Sequence, residues 1–184
     1  MSKLTKADKR VLSSEFNLPV KSIETIVAIE SGGRGFDTDG KIIIQFEPSW
    51  FKRKWLQWTK SIGPWASNGV ENQTREWLAF NDAFKRNPTA AMESTSIGLM
   101  QVMGFHYKLL GFATVGAMWD YAEQGEYQQL RLGLLFIKNN RKMYGAAKDF
   151  SKMSNCETFA YYYNGSAYKK YNYHNKLYNY NRSL

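Results

Sequence analysis

Ile23-Glu24-Thr25-Ile26-Val27-Ala28-Ile29-Glu30-Ser31-Gly32-Gly33-Arg34-Gly35-Phe36 is the stretch around which the chain is organised. Ile23, Ile26, Val27 and Glu30 stand at i, i+3, i+4 and i+7, which is one face of an α-helix. The face that should be buried therefore ends in a carboxylic acid. Gly32 and Gly33 supply the stop, because glycine takes the left-handed conformation that ends helices at little cost. A carboxyl at the rim of an apolar core loses water, which disfavours its charged form and raises its pKa. Such a glutamate becomes a proton donor near neutral pH.

Working outward, Leu12 and Phe16 form an apolar i, i+4 pair on a first helix over residues 5–16, with Thr5 and Asp8 spaced as a capping box. Beyond the glycines, Asp39-Gly40 is a hairpin turn signal, and Ile42-Ile43-Ile44 after it reads as a strand. Asp37 and Asp39 lack the later ligands of a calcium loop and read as turn residues. From Ser49 the chain reads as helical almost to its end. Trp50, Phe51, Trp55 and Trp58 sit among Lys52, Arg53, Lys54 and Lys60; a loop follows over Trp65 to Gln73. Trp77, Phe80 and Phe84 keep helical spacing up to Pro88, and Ala90 to Phe105 reads as short helices with internal glycines. A long amphipathic helix is predicted from Glu126 to Lys142, with Leu130, Leu134, Leu135 and Ile137 inward, and further helices near Thr158 and from Ser166 onward. No repeat or composition break appears. The expectation is a single domain over residues 1–184, α+β and mostly α, with a small β-hairpin inserted after the Glu30 helix.

The composition bounds the chemistry. A chain of 184 residues can bury roughly 70% of its unfolded surface, and 43% hydrophobic with 16% aromatic residues excludes disorder. With one cysteine, Cys156, there is no internal disulfide and no thiolate metal site; a buried structural thiol is expected. His106 and His174 show no metal-ligand spacing, and neither a metal nor an organic cofactor is expected. The first ten residues carry charge but no apolar run of signal-peptide type, and no stretch is long enough to cross a membrane. The net charge of +9 draws the chain towards anionic partners without choosing among nucleic acid, lipid and envelope polymers.

A second carboxylate, Glu47, ends the strand that follows the hairpin turn. Two carboxyl groups in different environments are what glycoside hydrolysis uses: one protonates the leaving oxygen, the other handles water or the developing positive charge.

Glu30 to Phe36, Asp39-Gly40-Lys41 and Gln45-Phe46-Glu47 together resemble the opening signature of the phage N-acetylmuramidase endolysin family. The resemblance continues in Ala90 to Tyr107, which contains Ser96-Ile97-Gly98-Leu99-Met100-Gln101, and in Gly111-Phe112. It ends with Phe159 to Gly165, Tyr168 and Tyr171. The blocks keep the family's order over about residues 5 to 180. Gly98-Leu99-Met100-Gln101 and Tyr163-Asn164-Gly165 are also similar to pieces of goose-type lysozymes and lytic transglycosylases, which implies a lysozyme-like fold. Two departures stand out: Ile97 where the family carries an aromatic, and Pro48-Ser49 where Arg-His is expected.

The resemblance implies cleavage of the β-1,4 bond between N-acetylmuramic acid and N-acetylglucosamine in peptidoglycan. Glu30 would be the general acid, and Glu47 would position water or stabilise the oxocarbenium-like transition state. Ser96, Gly98 and Gln101 would line the glycan cleft. Tyr163 and Asn164 would orient the acid and an N-acetyl group. Glu93 reads as a helix residue paired with a base. The partners expected are glycan strands and, through charge, the anionic envelope; no nucleic-acid motif is present, and a monomer is expected. The chain would be made in the host cytoplasm without a signal peptide and act on the periplasmic wall once the membrane is permeabilised. The rival readings are a lytic transglycosylase on the same fold, which needs one acid only, and a non-catalytic cell-wall-binding module.

Overall fold

A computed structural model describes residues 3–31, 33–57 and 72–184, so the expectations for Trp58, Lys60 and residues 65–71 fall outside the described residues. The first helix, α1 (Lys6–Phe16), starts at Thr5, whose hydroxyl accepts from the Asp8 amide while the Asp8 carboxylate accepts from the Thr5 amide. These bonds occupy backbone donors that a helix start leaves unpaired. Leu12 and Phe16 are buried, as their spacing requires. After Pro19 comes α2 (Val20–Ser31), with Ile23, Ile26 and Val27 in the core and Glu30 one turn further along that face.

The hairpin turn forms: the Asp37 side chain accepts from the amides of Asp39 and Lys41. Its ladder, however, is a single bridge, Phe36 to Ile42. The strand beyond it, β1 (Ile44–Phe46), pairs instead with β2 (Thr95–Ile97), which pairs with β3 (Val102–Met103), all antiparallel. Thr95–Ile97 and Val102–Met103 are therefore strands joined by a turn, not the short helices that the glycines suggested. Strands of three and two residues are too short to show alternation. The open edge of β1 is closed by side chains of α4 (Gln73–Arg86). The Gln73 amide exchanges two bonds with the Ile44 backbone, both 2.9 Å, and the Glu76 carboxylate accepts from the Phe46 amide at 2.8 Å. Gln73, expected in a loop, thus stands in for a neighbouring strand.

Pro48 opens α3 (Pro48–Lys54), where a missing N–H does no harm. Pro88 likewise begins α5 (Pro88–Glu93) immediately after Asn87, which both ends α4 and caps α5. Then follow α6 (Val115–Glu123), α7 (Glu126–Asn139) and α8 (Arg141–Ala147). The single long helix expected to Lys142 is split at Asn140, whose side chain accepts from the amides of Lys142 and Met143 and so starts α8. The last helices are α9 (Met153–Asn164) and α10 (Tyr173–Ser183).

Leu130, Leu134 and Ile137 of α7 are fully buried and form the middle of the core. Cys156 is buried too, its thiol bonded to the Phe150 carbonyl and pushed up to about 11 by burial. No helix among the described residues is long and apolar enough to cross a membrane.

Candidate active site

Glu30 lies near the end of α2, where α9 and α10 close over it. The Tyr173 hydroxyl of α10 donates to the Glu30 carboxylate. The Tyr163 hydroxyl of α9 sits between Glu30 and the Met100 carbonyl, to which it donates at 2.8 Å. The two phenol rings stack, with centroids 6.3 Å apart and planes 13° from parallel. Burial pushes the Glu30 pKa up to about 7, outweighing the two phenols, which favour the anion. Burial and the neighbouring Glu30 in turn hold both tyrosines well above the usual phenol range, so both keep their protons. Asn164, exposed at the end of α9, hydrogen-bonds Tyr173.

Tyr173 is the residue that sequence reasoning missed. It is one of many tyrosines between residues 161 and 180, among several lysines. Its signal was the spacing Tyr173, Leu177, Asn181, a buried i, i+4, i+8 face. That face packs on α2, where Asn181 donates to the Thr25 hydroxyl at 3.2 Å.

Glu47 occupies the N-cap of α3 but makes no capping bond. Its half-buried carboxylate accepts from the Gln45 amide at 2.7 Å. Burial raises its pKa; the Gln45 bond opposes this and the buried Glu76 carboxylate adds to it. Pro48, the departure from the family pattern, fixes the turn into α3 at this point.

Residues 96–101 lie between the two carboxylates. Gln101 is folded onto its own turn: its carbonyl accepts from the Ser96 hydroxyl at 2.8 Å and its amino group donates to the Gly98 carbonyl at 2.7 Å. Ser96 also faces Gln45 across the ladder. The amide and hydroxyl expected to meet a ligand are thus engaged in holding the turn. Gly98 is required by the packing of its own turn as well. Its φ is +68°, and a Cβ there would stand 2.6 Å from the Gln129 side chain. Gln129 is buried in α7 and accepts from the Leu99 amide at 2.8 Å. One helical turn on, Gly133 leaves room for Met100 to lie against α7. Buried Glu126, at the start of α7, accepts from the amides of Gly35 and Leu4 and ties down the loop after Glu30. Ile97, the other departure, is buried in the core.

A chain of contacts therefore joins the two acids: Glu30, Tyr163, Met100, the Gln101 turn, Ser96, Gln45, Glu47. Glu93 is outside it, paired with Lys54 at 2.9 Å. Among the described residues, no group of three or more His, Cys, Asp or Glu side chains is placed to hold a metal ion.

The N-acetylmuramidase family model matches residues 19–184. The chain belongs to the N-acetylmuramidase family. Among solved structures, the Burkholderia AP3 phage endolysin is similar at 27% identity with a TM-score of 0.86, over 98% of this chain and 70% of that one. The architecture is accordingly a lysozyme-like one, mostly helical with a small antiparallel sheet. No curated protein matches the chain. The family match begins at Pro19, so it takes in every side chain of the contact chain between the acids.

Proposed function

We propose that this chain is a phage endolysin that hydrolyses the β-1,4 bond between N-acetylmuramic acid and N-acetylglucosamine in peptidoglycan. The observation that carries this reading is the Glu30 carboxyl, desolvated at the end of α2, bonded by Tyr173 and titrating at about 7. At neutral pH a large fraction of it is protonated, and it gives that proton to the glycosidic oxygen as the C1–O bond breaks. Positive charge then grows on C1 and the ring oxygen. Glu47 either stabilises that charge while the Glu30 carboxylate takes the proton of the incoming water, or takes that proton itself and releases it to solvent as Glu30 is reprotonated; the water's hydroxyl ends on C1. The balance is one water added, one reducing muramyl end and one free 4-hydroxyl made, with both carboxyls returned to their starting states. No metal or organic cofactor takes part.

Tyr163 and Tyr173 hold the acid, and Asn164 holds Tyr173 while its exposed amide faces substrate. Ser96, Gly98 and Gln101 form the cleft wall through their backbone and their mutual bonds. The net charge of +9 favours the anionic envelope. The enzyme works as a monomer on the wall, which it reaches from the host cytoplasm after the membrane is permeabilised.

The test is digestion of purified peptidoglycan with mass spectrometry of the soluble fragments. Hydrolysis gives reducing muramyl ends, and Glu30→Gln abolishes their release while keeping the fold. Anhydro-muramyl ends would instead make the chain a lytic transglycosylase. Binding to the wall without any soluble product would make it a binding module.

A further inference from the structure

Trp50 and its neighbour Phe51 both belong to the basic, aromatic stretch after Glu47, but their surroundings differ. Phe51 is buried and meets Phe46 and Trp55 in the core. Trp50 is half-buried and, among the described residues, is not part of the hydrophobic core or of the side chains packed against it. The same holds for Phe105. The two rings meet each other instead, with centroids 4.6 Å apart. From there a row of rings continues: Phe105 to His106 at 4.3 Å, His106 to Phe136 at 4.8 Å, and Phe136 to Tyr163 at 5.9 Å. All five of these rings are only partly buried. The row starts one turn beyond Glu47, where the Trp50 amide donates to the Glu47 carbonyl, and ends on the phenol beside Glu30.

We infer that Trp50, Phe105 and His106 form a sugar-binding subsite for the peptidoglycan glycan strand on the Glu47 side of the cleft. This inference rests on the muramidase reading above. A β-1,4-linked pyranose with equatorial substituents presents a face of C–H bonds, and partly exposed aromatic rings are the protein surfaces that match it. A core stripe explains Phe51 and Trp55 but leaves Trp50 and Phe105 unaccounted for. Continuity with both carboxylates names the occupant, since a strand lying across Glu30 and Glu47 must run on over one end of this row. Burial and the nearby Lys54 ammonium hold the His106 pKa below its usual value, so the row presents a neutral ring there. Lys54 is itself fixed by Glu93 and lies 5.6 Å from the Phe105 ring centre. Arg53 rests 5.0 Å from the Trp50 ring centre as an exposed cation, a weak contact that an arriving sugar displaces.

Two measurements test the subsite. The first is calorimetric titration of chitotetraose, a β-1,4-linked N-acetylglucosamine tetramer, into the Glu30→Gln protein with and without a second substitution. The second is the release of reducing ends from purified peptidoglycan by proteins that keep Glu30. Trp50→Ala and Phe105→Ala should each weaken chitotetraose binding about tenfold. Each should raise KM with kcat within about twofold, because uniform binding is lost and the chemistry is not. Trp50→Phe, which keeps a flat apolar ring, should retain most of the affinity and guards against a folding defect. Unchanged KM and unchanged chitotetraose affinity in Trp50→Ala, with wild-type protein releasing reducing ends, would overturn the subsite and leave the muramidase reading standing. Wild-type protein that releases no reducing ends would overturn both.

Discussion

Glu30 ends a helix and faces two phenols; Glu47 ends a strand and faces an amide, with a second carboxylate behind it. Both are raised above the ordinary carboxylate range by burial. On the Glu30 side the neighbours are neutral and come from helices packed by large side chains. On the Glu47 side the sheet is three short strands, and its geometry rests on amides and glycines: Gln73, Gln101, Gln129 and Gly98. On the proposed mechanism, the contrast teaches how one residue type is given two tasks. A desolvated carboxyl among phenols keeps a proton to give, whereas a half-exposed one bonded to an amide is better suited to the charged form.

The sharpest way to break that contrast is to make both acids neutral amides in turn. Glu30→Gln should lower the rate of reducing-end release by about 10³-fold or more, since it removes the proposed proton donor at the end of α2. The same substitution should act on stability in the opposite direction. Folded Glu30 holds its proton up to about pH 7, against 4.5 for an unperturbed glutamate. The folded state therefore binds the extra proton between these values, so stability is highest below the unfolded pKa and declines as pH rises through the folded one. Thermal or urea unfolding should find Glu30→Gln more stable than wild type at pH 8, by up to about 3 kcal/mol, with the difference gone at pH 4. Equal stabilities at pH 8 would mean that Glu30 is not desolvated.

Glu47→Gln should cost about 10²-fold in rate, less than the loss at Glu30, because an amide still presents an oxygen to the developing charge. Losses of the same size at both positions would erase the distinction drawn between them. The smallest effect expected is that of Tyr173→Phe. Its hydroxyl favours the Glu30 anion, so removing it should raise the Glu30 pKa further and move the alkaline limb of the pH–kcat profile upward, with a loss of a few-fold at the optimum. An unmoved limb would show that Tyr173 only packs.

Most helices were legible because they carry their own evidence: Thr5 with Asp8 marks a start, and Ile23, Ile26 and Val27 mark a face. The Glu30 end of the site was legible for the same reason, since a carboxyl closing an apolar stripe is local information. The sheet was not. The edge of β1 is satisfied by Gln73 and Glu76 and its partner strand lies at Thr95–Ile97, and neither connection leaves a trace in spacing. The roles of Gly98 and Gln129 were hidden likewise, because the close approach between them joins a turn to a helix far along the chain. Tyr173 fell between the two cases. Its face had a readable period, but nothing local said which helix that face would meet.

The bond from Tyr173 to Glu30 spans 143 positions of sequence. Contacts of such separation carry a large loop-closure entropy and form late in folding. While a ribosome is still making the chain, α2 and its carboxyl are already outside, yet the phenol that fixes the acid has not been synthesised. The proposed acid is therefore completed after the scaffold, once α10 has been made and folds back onto α2.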